Sequence, residues 1–212
     1  MTQREERIKI VAKIKTGANI YKKYLLGNTF LYVFNDKYIE VSFRKQDFAH
    51  LTGVDTKLSA KDLYKEAIRG TLTEKQIYFS PRHPKSLCKK KVDCLQNLHQ
   101  CVLSEGFILE NITTQSATYK FGFTELNFTL CFGEDLDVNA NKKSEYFIVQ
   151  SLRDEDCFGK SSDVFEIDYI YRKRNNEKLY TDLLFCNKVS EEIPESIKNL
   201  IKNEKLFDIV NG

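Results

Sequence analysis

Proton transfer near neutral pH falls most readily to histidine, and this chain holds only His50, His83 and His99. His50 stands in Phe48-Ala-His-Leu-Thr-Gly53, where a helical turn gives way to a loop. A histidine followed by a hydroxyl and a glycine at such a junction can be held in one orientation for acid–base work. The alternative is an imidazole that bonds a nearby carbonyl and locks the turn. Thr52 has two readings as well: it orients a phosphate or the imidazole, or it caps the loop that follows. His83 lies between Pro81 and Pro84, next to Arg82. It is a candidate second proton-transfer group, or a satisfied loop residue. His99 falls among the polar positions of a helix and is expected to be inert.

Charge is the second chemical signal. The 212 residues carry 33 basic and 30 acidic side chains, a formal net charge of +3. That sum conceals a dipolar chain. Residues 1–26 are strongly basic, and Arg82, Lys85, Lys89, Lys90 and Lys91 follow one another with no acid between them. This second run opens a helix, whose free N–H groups favour a phosphate. Lys89 and Lys90 point away from Val92 and Leu95, toward solvent. The run is a nucleic-acid contact or an ordinary solvated lysine face. Residues 134–156 and the segment from Ser190 onward are acidic, a surface that a protein partner or antitoxin could use.

Several classes are excluded. The chain is too rich in Phe (15) and Tyr (11) for a disordered protein. The six cysteines, at 88, 94, 101, 131, 157 and 186, show no zinc spacing. They read as small core residues and reduced thiols, and no metal or cofactor is expected. Gly-rich phosphate loops, paired metal carboxylates and nucleophile elbows are absent, which argues against kinases, two-metal nucleases and hydrolases of the elbow type. The N-terminus mixes both charge signs, and the longest uncharged stretch, Tyr24 to Asn35, is too short to span a bilayer. A soluble, cytoplasmic protein is expected.

The elements that position these residues follow from periodicity. Residues 4–26 are predicted to form an amphipathic helix, with Gly17 weakening its middle. Phe30–Phe34 and Tyr38–Phe43 flank Asn35-Asp-Lys37 as a hairpin. Ser59 to Asp62 opens a helix that ends at Gly70. Lys85 to Ser104 is predicted as one helix with Leu87, Cys88, Val92, Leu95, Leu98, Cys101 and Val102 on its apolar side. Beyond Gly106 the pattern alternates, predicting strands at 107–109, 117–123, 126–132, 146–152 and 164–171. Residues 175–184 read as a weak helix. The tail from Ser190 carries Ile193, Ile197, Leu200, Ile201 and Leu206 at helical spacing. The fold class is α+β, with an N-terminal helix and hairpin and central helices packed on an antiparallel meander. Three parts are expected: an N-terminal helix (1–26), an α+β domain (27–188) and a helical tail (189–212).

One ordered set of segments resembles a known family. It comprises Phe30–Phe34, Tyr38–Phe43, Phe48–Gly53 and Leu58–Asp62, then Arg82-His-Pro84 ahead of Lys89–Lys91, Thr118-Tyr-Lys-Phe-Gly122 and Ser151-Leu-Arg153. Over residues 20–187 the chain resembles the fourth phage-associated group of the barnase–EndoU–colicin–RelE superfamily of nuclease-like domains. The resemblance implies a metal-independent RNase, such as a toxin in a phage–bacterium conflict, that cleaves RNA by attack of the 2′-OH. It equally allows a degenerate fold that grips nucleic acid or a partner protein without cutting. Such cleavage needs a base, a cation for the dianionic phosphorane and an acid for the leaving oxygen. Strands carry the catalytic cations in this superfamily, so the resemblance makes Arg153 the phosphate clamp, with His50 and His83 as proton-transfer groups. Arg153 could instead pair with Asp154 or Glu155. Thr52, Arg82, Lys85, Lys89, Lys90 and Lys120 are the expected RNA contacts. Lys120 and Tyr119 should face opposite sides of their strand, with Tyr119 packing beside Phe121 and Phe123. No Glu stands where a barnase-like base would be expected.

Overall fold

The computed structural model describes residues 2–115, 117–187 and 193–202. Helix α1 (Gln3–Tyr24) opens on a capping box: Thr2 Oγ1 accepts from the Glu5 N–H at 3.2 Å, and the Glu5 carboxylate accepts from the Thr2 N–H at 2.9 Å. Ile10, Val11, Ile14, Ala18 and Tyr21 form its buried face. Gly17 does not divide the helix. It is the point where Leu95 packs in, and a Cβ there would lie 2.8 Å from Leu95 Cβ.

Strands β1 (Asn28–Phe34) and β2 (Lys37–Ser42) form the expected hairpin. Its turn residues Asn35 and Asp36 have φ of 46° and 57°, which matches the strand twist. Then come α2 (Phe48–Thr52), β3 (Asp55–Thr56), α3 (Ala60–Arg69), β4 (Ile77–Tyr78), α4 (Lys85–Cys94) and α5 (Gln100–Leu103). Ser59 caps α3, and Gly70, at φ 75°, ends it. The predicted single helix over 85–104 is broken by a 3-10 turn at Leu95–Asn97, yet of its apolar positions Cys88, Val92, Leu95, Leu98, Cys101 and Val102 are buried and Leu87 is half-buried.

The remaining strands are β5 (Phe107–Thr113), β6 (Thr118–Thr124), β7 (Thr129–Leu136), β8 (Lys142–Arg153), β9 (Asp163–Glu166), β10 (Tyr169–Arg174) and β11 (Asp182–Cys186). They join β1 and β2 in a nine-stranded sheet, ordered β11-β10-β1-β2-β8-β7-β6-β5-β9. The α+β architecture is as expected, but the sheet is mixed: β2 and β8 run parallel through Val41–Phe147 and Ser42–Ile148. The meander is confined to β5–β8, because the helices intervene between hairpin and meander. The predicted strand 164–171 is two strands in distant places of the sheet. Ile167 N–H donates to Gly106 O at 3.1 Å and Asp168 N–H to Val33 O at 2.8 Å, so the sheet curls until two residues can cross from its β9 edge to β1. The weak helix predicted at 175–184 is a turn leading into β11, where Leu183 pairs with Tyr171 across the sheet edge.

The helices cover one sheet face, where α1 shares a core with Phe30, Tyr32, Phe34, Phe123 and Phe132. On the sheet, Leu31, Val33, Tyr169 and Tyr171 receive Ile193, Ile197 and Ile201 of the tail, which forms a 3-10 helix at Glu195–Leu200. The tail is docked. Leu206, and the stretches 188–192 and 203–212, lie outside the described residues. Among the described residues no helix is long and apolar enough to cross a membrane. Gly17→Val should push Leu95 from its seat and cost about 1–3 kcal/mol, as overpacked cores do, read as a lower urea midpoint with unchanged slope.

Candidate active site

The loop after α2 is built around a single lysine. Gly53 ends α2 at φ 68°, in the left-handed region. It also leaves room for Lys91: a Cβ on Gly53 would lie 2.7 Å from Lys91 Cδ. Helical phase sets Lys91 three residues after Cys88 and next to Val92, so it falls on the buried side of α4 and is only 8% exposed. Its ammonium donates to the His50 carbonyl oxygen at 3.4 Å. Burial first, then the charge of Arg153, push the ammonium down to about 8. The sequence presents Lys91 only as one member of a solvent-facing run. The signal that could have found it is its spacing from Cys88.

Arg153 stands at the end of β8, as expected. Its Nη2 donates to Thr114 Oγ1 at 3.2 Å and to the Tyr119 hydroxyl at 3.1 Å, with the guanidinium carbon 5.6 Å from the Tyr119 ring centroid. Burial is the largest influence and acts to lower its pKa, but Tyr119, Cys131 and Cys157 together outweigh it and the guanidinium stays above its ordinary value. The neighbouring acids are engaged by other cations: Asp154 by Lys90 at 2.7 Å and Glu155 by Lys160 at 2.5 Å.

Tyr119 corrects the expected strand pattern. It packs with Leu109, Ile112, Cys131 and Cys157, whereas Phe123 lies in the main core and Phe121 packs against that core. The alternation breaks where Asn111, at φ 50°, stands between the Glu110–Phe121 and Ile112–Tyr119 pairs, with the register itself unchanged. Lys120 is exposed, as expected, with its ammonium 6.0 Å from the Phe121 ring centroid. Tyr119, not Lys120, reaches Arg153.

His83 and His50 approach α4 from its other end. His83 Nδ1 lies 2.7 Å from Asp55 Oδ1. Burial would raise the Asp55 carboxyl, but the Ser80 and His83 side chains and the Arg82 charge hold it below its ordinary range. Cys88 joins the two loops, its thiol donating to Gly53 O at 2.8 Å and reaching His83 O at 3.6 Å. Burial and the Asp55 charge push that thiol up to about 11, so it is no nucleophile. The His50 imidazole is exposed, while its carbonyl holds Lys91. Thr52 is fully buried, with Oγ1 donating to Ala49 O at 2.8 Å and accepting from Val54 N–H at 3.4 Å; it caps the loop and presents nothing to a ligand.

The basic run splits in three. Lys91 turns inward, Lys85 and Lys90 are ion-paired with Glu6 and Asp154, and Arg82 and Lys89 remain exposed, Lys89 beside Lys9 and Lys13 in a groove against α1. In the acidic stretch, Asp135 is tied to Arg44 at 2.6 Å and Glu145 to Lys142 at 2.6 Å. Five cysteines are buried thiols and Cys186 is exposed. Among the described residues no group of three His, Cys, Asp or Glu could hold a metal ion. His99 stacks on Tyr24, ring centroids 5.3 Å apart.

Comparison with protein families places this chain among the nuclease-like domains. Residues 13–188 match the family described as phage-Barnase-EndoU-ColicinE5/D-RelE like nuclease4, and the chain belongs to that family. The match runs from within α1 to just past β11 and leaves the docked tail outside. No curated protein and no solved structure matches the chain.

The burial of Lys91 gives a test on stability. Folded, it titrates near 8 against an ordinary 10.5. The unfolded state therefore holds the extra proton between those values, and the Lys91 contribution to stability should rise as pH climbs from about 8 to about 10.5, against the fall that the raised Cys88 thiol brings between about 9 and about 11. Lys91→Met should abolish that rise and stabilise the protein at pH 7 by on the order of 3 kcal/mol, measured by urea denaturation across pH.

Proposed function

We propose that the chain is a metal-independent endoribonuclease that cleaves RNA by attack of a 2′-OH on the adjacent phosphate. The observation that carries this reading is the desolvated lysine beside the strand-end arginine: burial and then the Arg153 charge lower the Lys91 pKa, and the Tyr119 hydroxyl helps hold the guanidinium. Two cations held together this way suit a dianionic phosphorane, in a setting where each is worth more than in water.

Roles follow from chemistry. Arg153, aimed by Tyr119, clamps the phosphate oxygens. The exposed His50 imidazole takes the 2′-OH proton as the O2′–P bond forms. Lys91, still protonated at pH 7 but able to lose its proton, supplies it to the 5′-oxygen as the P–O5′ bond breaks; His83, held by Asp55, is the second candidate for that step. The products are a 2′,3′-cyclic phosphate and a 5′-OH end. Arg82, Lys89 and Lys120 are exposed and would meet flanking phosphates, with Lys85 and Lys90 joining them by exchanging their carboxylate partners. A toxin of phage–bacterium conflict, acting on RNA in the cytoplasm, fits the family. A partner protein seated on 134–156 is the weaker reading, because Asp135, Glu145, Asp154 and Glu155 already have intramolecular partners.

Purified protein should cut total RNA in EDTA. His50→Ala and Arg153→Ala should each lower the rate by about 10²–10⁴-fold, the usual worth of such groups, and Lys91→Met should do the same in a protein that remains folded. If RNA stays intact in EDTA while His50→Ala still abolishes a cellular effect, the chain binds without cutting. The rate should also fall as pH rises through about 8, because the reaction needs the protonated lysine; a wild-type profile flat to pH 10 would remove Lys91 from the proton step.

A further inference from the structure

Gly53 does two things, and only one of them is needed to end a helix. Its φ of 68° closes α2, just as Gly70, at φ 75°, closes α3. A Cβ added at Gly70 would meet nothing within 4 Å, whereas one added at Gly53 would lie 2.7 Å from Cδ and 3.6 Å from Cγ of Lys91. The Cα of Cys88 is 3.7 Å away, an ordinary contact. The atoms that must yield therefore belong to a flexible stem and not to the backbone of α4. A side chain at position 53 would turn Lys91 outward and leave α2 and α4 in place.

The seat that Lys91 would vacate is small and well defined. Its ammonium donates to the His50 carbonyl oxygen at 3.4 Å, on the buried side of α4. The titratable groups that face it are Arg153 of β8, Cys131 of β7, and Cys88 and Cys94 of α4, none of them a carboxylate. The Cys88 thiol, one turn earlier on α4, donates to the Gly53 carbonyl oxygen at 2.8 Å and so holds the glycine against the lysine stem. An amine seated there meets desolvation and a like charge, with no anion to offset them.

We propose that Gly53 is a positioning residue that acts through Lys91: its missing side chain seats the ammonium under the His50 carbonyl instead of in solvent. The catalytic consequence rests on the cleavage reading, in which Lys91 gives up a proton; the placement of Lys91 does not. NMR titration of the Lys91 side-chain amine in the full chain, assigned by its loss in Lys91→Met, tests the placement, and the rate of RNA cleavage against pH tests the consequence. Gly53→Ala should move the Lys91 midpoint from about 8 toward the ordinary 10.5. It should also lower kcat about tenfold or more with KM changed less than about twofold, and carry the high-pH fall in rate upward. Gly53→Asn, whose side chain tolerates the left-handed region, should do the same and serves as the second probe if alanine unsettles the fold. Gly70→Ala imposes the same backbone strain at an open site. It should lower the thermal midpoint but leave the Lys91 titration and the rate profile unchanged. An unmoved Lys91 midpoint in both Gly53 variants, or an equal shift in Gly70→Ala, would overturn the proposal. A shifted midpoint in a chain whose wild type leaves RNA intact would overturn the cleavage reading alone.

Discussion

Burying one ammonium group organises the nuclease-like end of this molecule. Lys91 enters the interior only because Gly53 has no side chain to block its stem, and Gly53 can end α2 there because it accepts a left-handed conformation. The same turn aims the His50 carbonyl at the ammonium and the Gly53 carbonyl at the Cys88 thiol. Thr52, buried beneath, fixes the turn by its own bonds to Ala49 and Val54. A short helix, a glycine and a helix face thus cooperate on a group whose desolvation works against folding.

The other buried charges of the fold show how unusual that arrangement is. On the opposite sheet face Lys173 lies 3.3 Å from Glu40, which also accepts from the Tyr180 hydroxyl at 2.6 Å. Arg44 bridges Asp47 and Asp135 at 3.0 and 2.6 Å. Each of those cations meets a carboxylate, as structural charges in an interior do. Lys91 instead meets a carbonyl and the field of Arg153.

Much of the architecture was legible because it rests on local rules. The Asn35-Asp36 turn, the Ser59 cap and the Gly70 stop each use chemistry that acts over a few residues, and each lies where the pattern put it. The misreadings came from long-range geometry. Residues 164–171 alternate like one strand, but the curl of the sheet takes the chain from one edge to β1 within two residues. The 175–184 segment reads as a weak helix, yet an open edge at β10 recruits its last residues, from Asp182, into β11. Arg153 was legible as a strand-end cation. Lys91 was not, because a lysine inside a basic run reads as solvated unless its phase against Cys88 is weighed above its neighbours. Tyr119 was hidden by a break in alternation that falls beside Asn111, a left-handed residue of the neighbouring strand.

Charge and topology together explain why the near-neutral total misleads. Acids are spent in intramolecular pairs: Glu6 on Lys85, Asp154 on Lys90, Glu155 on Lys160. What remains unpaired among the described residues is gathered around α1, with Lys9 and Lys89 in one groove and Lys22, Lys45, Lys61, Lys65 and Arg69 in another. Because α1 is a long straight element whose inner face is sealed into the core, its polar side can carry cations at no cost to packing. The N-terminal helix is therefore the electrostatic face of the domain as well as part of its core. A polyanion drawn to that face would arrive beside α4, the helix that holds Lys91.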